Sequence, residues 1–266
     1  MPRQFLKISI VTPSSNQGAY IACAIESVLS QNYMDVEHII VDNCSTDETS
    51  KVLARYPHLK VICEKDQGQS DALNKGFKAA TGDIIGWLNA DDKYLAGSFQ
   101  HASRAFVNHP DYDLVYGDYR FVDAQGSLIR NRHEIPFDLF ILKYLHVLYV
   151  PTTTTFFSRK IFDEGNFLDI NYHYAMDYEF FVRLAEGGYR FGHIPKVMAD
   201  FRWHQDSKST THAVLQKEEM EKALLVHDKF LAVLKNPQRN LLRNLFMLMA
   251  RGKRTLLKLS RGAYWV

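Results

Sequence analysis

Cysteine is scarce. The 266 residues hold three, Cys23, Cys44 and Cys63, an odd number with no C-x-x-C spacing. That argues against a disulfide framework or a zinc ribbon and favours a reducing compartment. Long apolar runs are missing too. The longest in the C-terminal region, Leu245 to Ala250, is far too short to span a bilayer. Met1-Pro2-Arg3-Gln4 leads straight into a strand-like segment, so no secretory leader is expected. The expected location is the cytoplasm. Acidic residues are absent from Asn236 to Val266, where Arg239, Arg243, Arg251, Lys253, Arg254, Lys258 and Arg261 contribute +7. With a net charge of +2, the first 235 residues therefore carry 2 − 7 = −5. No repeat or low-complexity segment is present.

What is there is a globular composition. A hydrophobic fraction of 46% is enough to bury a sizeable core. Lys7 to Thr12 reads as a strand, and Pro13 to Gly18 as a turn. Tyr20, Ile21, Ala24, Ile25, Val28 and Leu29 recur at helical spacing. Glu37 to Val41 and Leu59 to Cys63 are short apolar strands, with a helix between them opened by a Ser45/Glu48 capping box. A third helix carries Ala72, Leu73, Gly76, Phe77 and Ala80, and Ile84 to Leu88 is a fourth strand. This β-α-β-α-β-α-β order with near-continuous apolar strands predicts an α/β fold, a mostly parallel sheet flanked by helices. Further on, a helix is expected over 97–107 and strands over 113–122 and 152–158. Asp177 is expected at the N-cap of another helix, and Arg190 to Phe201 holds strand sequence. Ile135 to Val150 is apolar and aromatic without a decisive period.

Right-handed crossovers put all the strand carboxyl ends on one edge, where ligands of such sheets bind. Pro13–Gly18, Asp42, Asp66 and Asn89-Ala90-Asp91-Asp92 all fall there. The adjacent carboxylates of Asp91 and Asp92 invite a hard divalent cation, Mg²⁺ or Mn²⁺, shared with substrate phosphates. A solvated turn is the plainer reading of any one of these acids.

With Val11-Thr12-Pro13 and Asn16, Val41-Asp42 with Ser45-Thr46-Asp47, and Asp66-Gln67-Gly68-Gln69-Ser70-Asp71-Ala72-Leu73-Asn74-Lys75-Gly76, the chain resembles the family 2 glycosyltransferases of the GT-A fold. Trp87-Leu88-Asn89-Ala90-Asp91-Asp92, Met176-Asp177-Tyr178-Glu179 and Arg202-Trp203-His204 extend the likeness across most of residues 7–210. The resemblance implies an inverting transferase using a nucleotide-sugar donor, with UDP-sugars favoured, and a divalent metal. It implies a glycan or lipid-linked sugar as acceptor, in polysaccharide or glycoconjugate assembly, and no nucleic-acid partner. Asn89 stands where the family often has Asp, which leaves the negative charge to Asp91 and Asp92.

The resemblance assigns roles in turn. Pro13, Asn16, Asp42, Asp66, Asn74, Lys75, Asn89 and Asp91 would bind the donor, with Asp42 accepting a hydrogen bond from the nucleobase. Asp92, Asp91 and His204 would hold the metal. Asp177 would be the general base, although local spacing serves an N-cap equally well. Lys75 could equally be a solvated helical lysine. Trp87 fits the core better than a sugar platform, while Tyr172, Tyr174 and Tyr178 could border an acceptor or pack a loop. A non-catalytic nucleotide-sugar-binding module is the alternative. A nucleotidyltransferase ranks below it, because Pro13 to Gly18 lacks Lys and Arg. The domain division expected is a GT-A unit over 1–235 and a basic amphipathic helical tail over 236–266. The tail's stripe of Leu241, Leu242, Leu245, Leu248 and Met249 would attach peripherally to an anionic membrane surface, or pack on the body or on a second subunit.

Overall fold

A computed structural model describes residues 6–145, 147–203 and 212–262. The first half alternates as the apolar runs require. Strand β1 (Ile8–Ser14) leads to helix α1 (Ile21–Leu29), β2 (Val36–Asp42), α2 (Thr49–Leu53), β3 (Lys60–Cys63), α3 (Gln69–Ala79) and β4 (Ile84–Trp87). β1 pairs in parallel with β2 and with β4, and β2 with β3, so the local order is β3-β2-β1-β4. The chain builds outward from β1 and then returns to its other side. The switch point of the sheet therefore lies between β1 and β4, where a ligand crevice opens. Both strands are buried along their whole length, which is why they read as near-continuous apolar runs, broken in β1 only by small polar residues such as Ser9 and Thr12.

The second half is mixed. It adds β5 (Lys93–Tyr94), α4 (Ser98–Asn108), β6 (Leu114–Val122), β7 (Leu128–Arg132), α5 (Leu139–Leu145), β8 (Phe156–Ser158), α6 (Lys160–Asp163), α7 (Met176–Glu186) and β9 (Phe191–Arg202). β8 joins antiparallel to both β4 and β6, and β9 runs parallel to β6. Among the described residues this gives one nine-stranded sheet, β3-β2-β1-β4-β8-β6-β9-β5, with β7 on β6. One face carries α3, α5 and α7 over a core containing Trp87, Phe157, Phe180 and Phe181. The other carries α1 and α4 over Ile10, Phe99 and Phe156. Gly76 lets α3 settle on β1, because a Cβ there would lie 2.2 Å from Val11 Cγ1.

Two local expectations are corrected, and one unassigned segment is placed. The Ser45/Glu48 capping box does not form. Helix α2 begins at Thr49, whose N–H is accepted by Asp47 Oδ1 at 3.0 Å, and Ser45 is drawn instead to Asp42. The β-branched run over 152–158 is strand only from Phe156. Thr152–Thr154 forms a 3₁₀ turn, in which the Thr155 hydroxyl donates to the nearby Pro151 carbonyl at 2.8 Å and offers the backbone an alternative to the ladder. The unplaced segment over 135–150 contains α5, whose Ile141 and Leu142 are fully buried.

After β9 come α8 (Ala213–His227), α9 (Lys229–Ala232) and the long α10 (Asn236–Ser260). α10 docks on the body. Phe246 meets Phe140 and Tyr144 at 5.8 and 4.8 Å between ring centroids, and Ala250 is fully buried. Arg254 reaches the buried Glu134 at 2.8 Å, and Arg243 and Lys253 pair with Glu221 and Asp138. The basic residues of the tail thus answer acids of the body. The opposite side of α10 presents Leu241, Leu245, Leu248, Met249, Leu256 and Leu259 to solvent. The inward side thus mixes apolar contacts with ion pairs, while the outward side carries an exposed apolar stripe.

Candidate active site

A pocket of about 480 Å³ opens at the carboxyl edge of the parallel strands. Pro13, Ser14, Ser15 and Gln17 leave β1 along one side. Asn43 follows β2, and Asp66, Gly68 and Gln69 bridge β3 to α3. Trp87, Asn89, Asp91 and Asp92 form the floor after β4, and His173, Tyr174, Met176, Asp177 and Gln216 close the far wall. Gly68, at φ +116°, makes the turn that brings α3 to the crevice.

The floor is a hydrogen-bonded relay. Asn89 Oδ1 accepts from Trp87 Nε1 at 2.8 Å and from Gln69 Nε2 at 3.0 Å, and Asn89 Nδ2 donates to Asp92 Oδ2 at 3.2 Å. Asp92 Oδ2 also accepts from Thr153 Oγ1 at 2.7 Å, while Oδ1 accepts the Arg202 N–H at 2.9 Å. Asp92 therefore stitches β4, the 3₁₀ turn and β9 together. It is 2% exposed. Burial, and then the charge of Asp91, push its carboxyl up to about 8 against the pull of those three donors. Asp91 sits beside it, half-buried and on the pocket surface. Arg202 lies behind the pair and spends its guanidinium on the carbonyls of Asp91, Asp123 and Ala124.

Asp177 is on the opposite wall, and it is not an N-cap. α7 starts at Met176 with Ala175 as the cap residue, so Asp177 is the second helical residue, and its Oδ1 accepts the Tyr178 N–H at 2.8 Å. The turn before it is tied down from α8. Glu219 accepts the N–H groups of His173, Tyr174 and Ala175 at 2.7–3.0 Å, which satisfies donors an N-cap would otherwise take. Glu179 points elsewhere and is buried. Burial raises its carboxyl, but hydrogen bonds from His227 and Arg183 bring it below its ordinary value.

Several expected ligand residues serve the frame. Asn74 uses its whole amide on Leu168, donating to its carbonyl at 2.8 Å and accepting its N–H at 2.9 Å. The Lys75 ammonium is held by Glu64, Asp71 and the Lys65 carbonyl. Asn16 clamps the β1 loop to the β2 loop through Ser45 and Thr46. Asp42 is buried against Ser45, which donates to it from N–H at 2.8 Å and from Oγ at 2.6 Å. Asp66 does reach the pocket, with Oδ1 accepting the Gly68 N–H at 2.9 Å. Of the three tyrosines only Tyr174 lines the pocket, since Tyr172 and Tyr178 are buried. His204 lies outside the described residues. Asn43, Thr152, His173 and Gln216 line the pocket unannounced by any local pattern.

A pocket at the switch point of an α/β sheet, floored by two carboxylates and faced by a third from a separate helix, is the arrangement of a GT-A transferase. Residues 9–165 match Glycosyl transferase family 2, and the chain belongs to that family. It is similar to chondroitin synthase of Escherichia coli, 27% identical over 215 residues, which are 79% of this chain and 31% of that one. It is also similar to hyaluronan synthase of Pasteurella multocida, 26% identical over 79% of this chain and 22% of that one. The chain thus spans under a third of the length of either synthase. Among solved structures, S. aureus TarS 1-349 in complex with UDP-GlcNAc superposes with a TM-score of 0.68 at 17% identity, over 91% of this chain and 71% of that one. The mannosyltransferase PcManGT from Pyrobaculum calidifontis, in complex with GDP-Man and Mn²⁺, gives 0.61 at 18% identity over 96% and 85%. Both share the fold.

Proposed function

We propose that this chain transfers a sugar, with inversion, from a nucleotide-sugar donor to an acceptor hydroxyl. One observation carries the reading. The Asp91–Asp92 floor and Asp177 come from separate elements and face one pocket at the sheet's switch point. The acceptor hydroxyl gives its proton to the Asp177 carboxylate as its oxygen bonds to the anomeric carbon. The bond from that carbon to the phosphate oxygen breaks on the opposite side, and its electron pair leaves with the nucleoside diphosphate. Asp66 and the loop after β2 would hold the nucleoside, and the likeness to a UDP-GlcNAc-bound fold supports a UDP-sugar.

The floor fits a hard divalent cation. Its donors are oxygens, and a buried carboxyl raised by a neighbouring carboxylate is a place where positive charge is stabilised. Asp92 Oδ2 already accepts two hydrogen bonds and Oδ1 only one, from the Arg202 N–H, so Asp91 and the remaining lone pair of Asp92 Oδ1 would hold the ion. No group of three His, Cys, Asp or Glu side chains converges among the described residues, and the other ligands would be phosphates and water. Bound there, the ion would neutralise charge on the departing diphosphate.

Similarity to chondroitin and hyaluronan synthases supports a glycan or lipid-linked sugar as acceptor. The outward apolar face of α10 supports peripheral attachment to a membrane surface, on the cytoplasmic side. The test is nucleoside diphosphate release from UDP-, GDP- and dTDP-sugars with Mn²⁺. UDP-sugar turnover is expected, and no turnover of any donor would contradict the reading.

A further inference from the structure

A second groove, of about 400 Å³, lies between the end of α5, α8 and α10. Gln216, whose side chain donates to the Tyr174 carbonyl at 3.1 Å, lines both this groove and the donor pocket, so the two are neighbours. Leu145, Met220 and Met247 supply apolar wall. Lys217, Arg243 and Arg251 supply charge, and no acidic side chain lines it among the described residues. Arg243 pairs with Glu221, yet its Nε is buried with no hydrogen-bond partner among those residues. On α10, the groove residues Arg243, Asn244, Met247 and Arg251 run alongside the outward stripe of Leu241, Leu245 and Leu248.

We propose that this groove binds the phosphate and proximal chain of an acceptor sugar carried on a lipid phosphate. The lipid would run onto the outward face of α10, and the head group would reach the donor pocket past Gln216. The proposal rests on the glycosyl-transfer reading and narrows its acceptor. An acceptor that is only a soluble glycan has no use for the apolar wall of Met220 and Met247, and a membrane surface alone has no use for a basic groove set beside the donor pocket. A lipid carrying an anion uses both, because phosphate takes charge-assisted hydrogen bonds from Arg and Lys while the chain removes apolar surface from water.

The test is calorimetric binding of farnesyl phosphate to the full chain, with farnesol and inorganic phosphate as partial probes. Farnesyl phosphate is expected to bind one to one, and each partial probe roughly tenfold or more weakly. Lys217→Glu with Arg251→Glu is expected to weaken farnesyl phosphate by about tenfold or more while UDP affinity is retained. Lys217→Gln with Arg251→Gln replaces it if charge reversal lowers the melting temperature. Equal binding of farnesol and farnesyl phosphate would overturn the proposal. So would unchanged binding in the double variant, or displacement by phosphatidylglycerol as effective as by farnesyl phosphate itself. A protein that turns over donor but ignores farnesyl phosphate refutes the groove and leaves glycosyl transfer standing. One that binds farnesyl phosphate but no nucleotide does the reverse.

Discussion

Asp92 turns the chemistry of the floor into a measurable stability. Its carboxyl stands at about 8 in the folded chain, against 3.8 for the free side chain. Between those values the unfolded state has released a proton that the folded state still holds. The folded state binds more protons, so stability falls as pH rises through this window, by about 1.4 kcal/mol per pH unit. For a chain of this size that is roughly 3–5 °C of melting temperature per unit. Asp92→Asn removes the titration. Its amide oxygen still accepts the Arg202 N–H, and its amide nitrogen can donate to Thr153. It then faces Asn89 Nδ2, donor against donor, at a contact that is 3.2 Å in the native chain. That mismatch costs about 1 kcal/mol. The variant should melt lower than the native chain in strong acid and higher above the crossing, which falls at about pH 4.5. Melting in chelator from pH 4 to 9 measures this. Saturating Mn²⁺ should flatten the native curve, because a cation replaces the proton as the compensating charge. A native melting temperature that rises across this range, or an Asn variant with the same slope, would refute the assignment of the raised carboxyl to Asp92.

Two further perturbations separate frame from chemistry. Asn74→Ala strands the Leu168 N–H and carbonyl, and is expected to lower stability by about 1–3 kcal/mol in urea unfolding without weakening UDP binding. Wild-type stability with lost UDP affinity would return Asn74 to the donor site. Leu248→Glu with Leu256→Glu, both on the exposed face of α10, is expected to abolish co-sedimentation with phosphatidylglycerol vesicles at unchanged melting temperature. Partitioning equal to the native chain would rule out that face as the membrane contact.

Much of the architecture was legible because burial writes itself into sequence. β1 and β4 are buried throughout and mostly apolar since helices cover both faces, and their order placed the acids at one edge. The site was legible only in part. Asp66, Asn89, Asp91, Asp92 and Asp177 do meet at one pocket. Asn74 and Lys75 sit in the same motif but turn away, because a helix offers several faces and the motif does not state which one meets the ligand. Asp177 looked like a cap because Asp is a favoured cap, and nothing nearby could reveal that Glu219, 42 positions later, already ties the turn. The tail's sequence left attachment to a membrane, to the body and to a second subunit all open. Its charges in fact meet Glu134, Asp138 and Glu221, partners that only the tertiary fold brings within reach. No local pattern pointed to Thr153 or Gln216, since each acts through a contact far away in sequence.

The central claim is that Asp177 takes the acceptor's proton. Since Asp177 lies inside α7 and does not cap it, Asp177→Asn should leave the melting temperature and UDP affinity near those of the native chain. Transfer to acceptor should fall by about two orders of magnitude or more, within the ~10²–10⁴-fold range of a positioned base. The measurement is the rate of sugar transfer at saturating donor and acceptor, native chain against Asp177→Asn. A loss of that size in a folded, nucleotide-binding variant is the predicted result, and transfer at the native rate would contradict it.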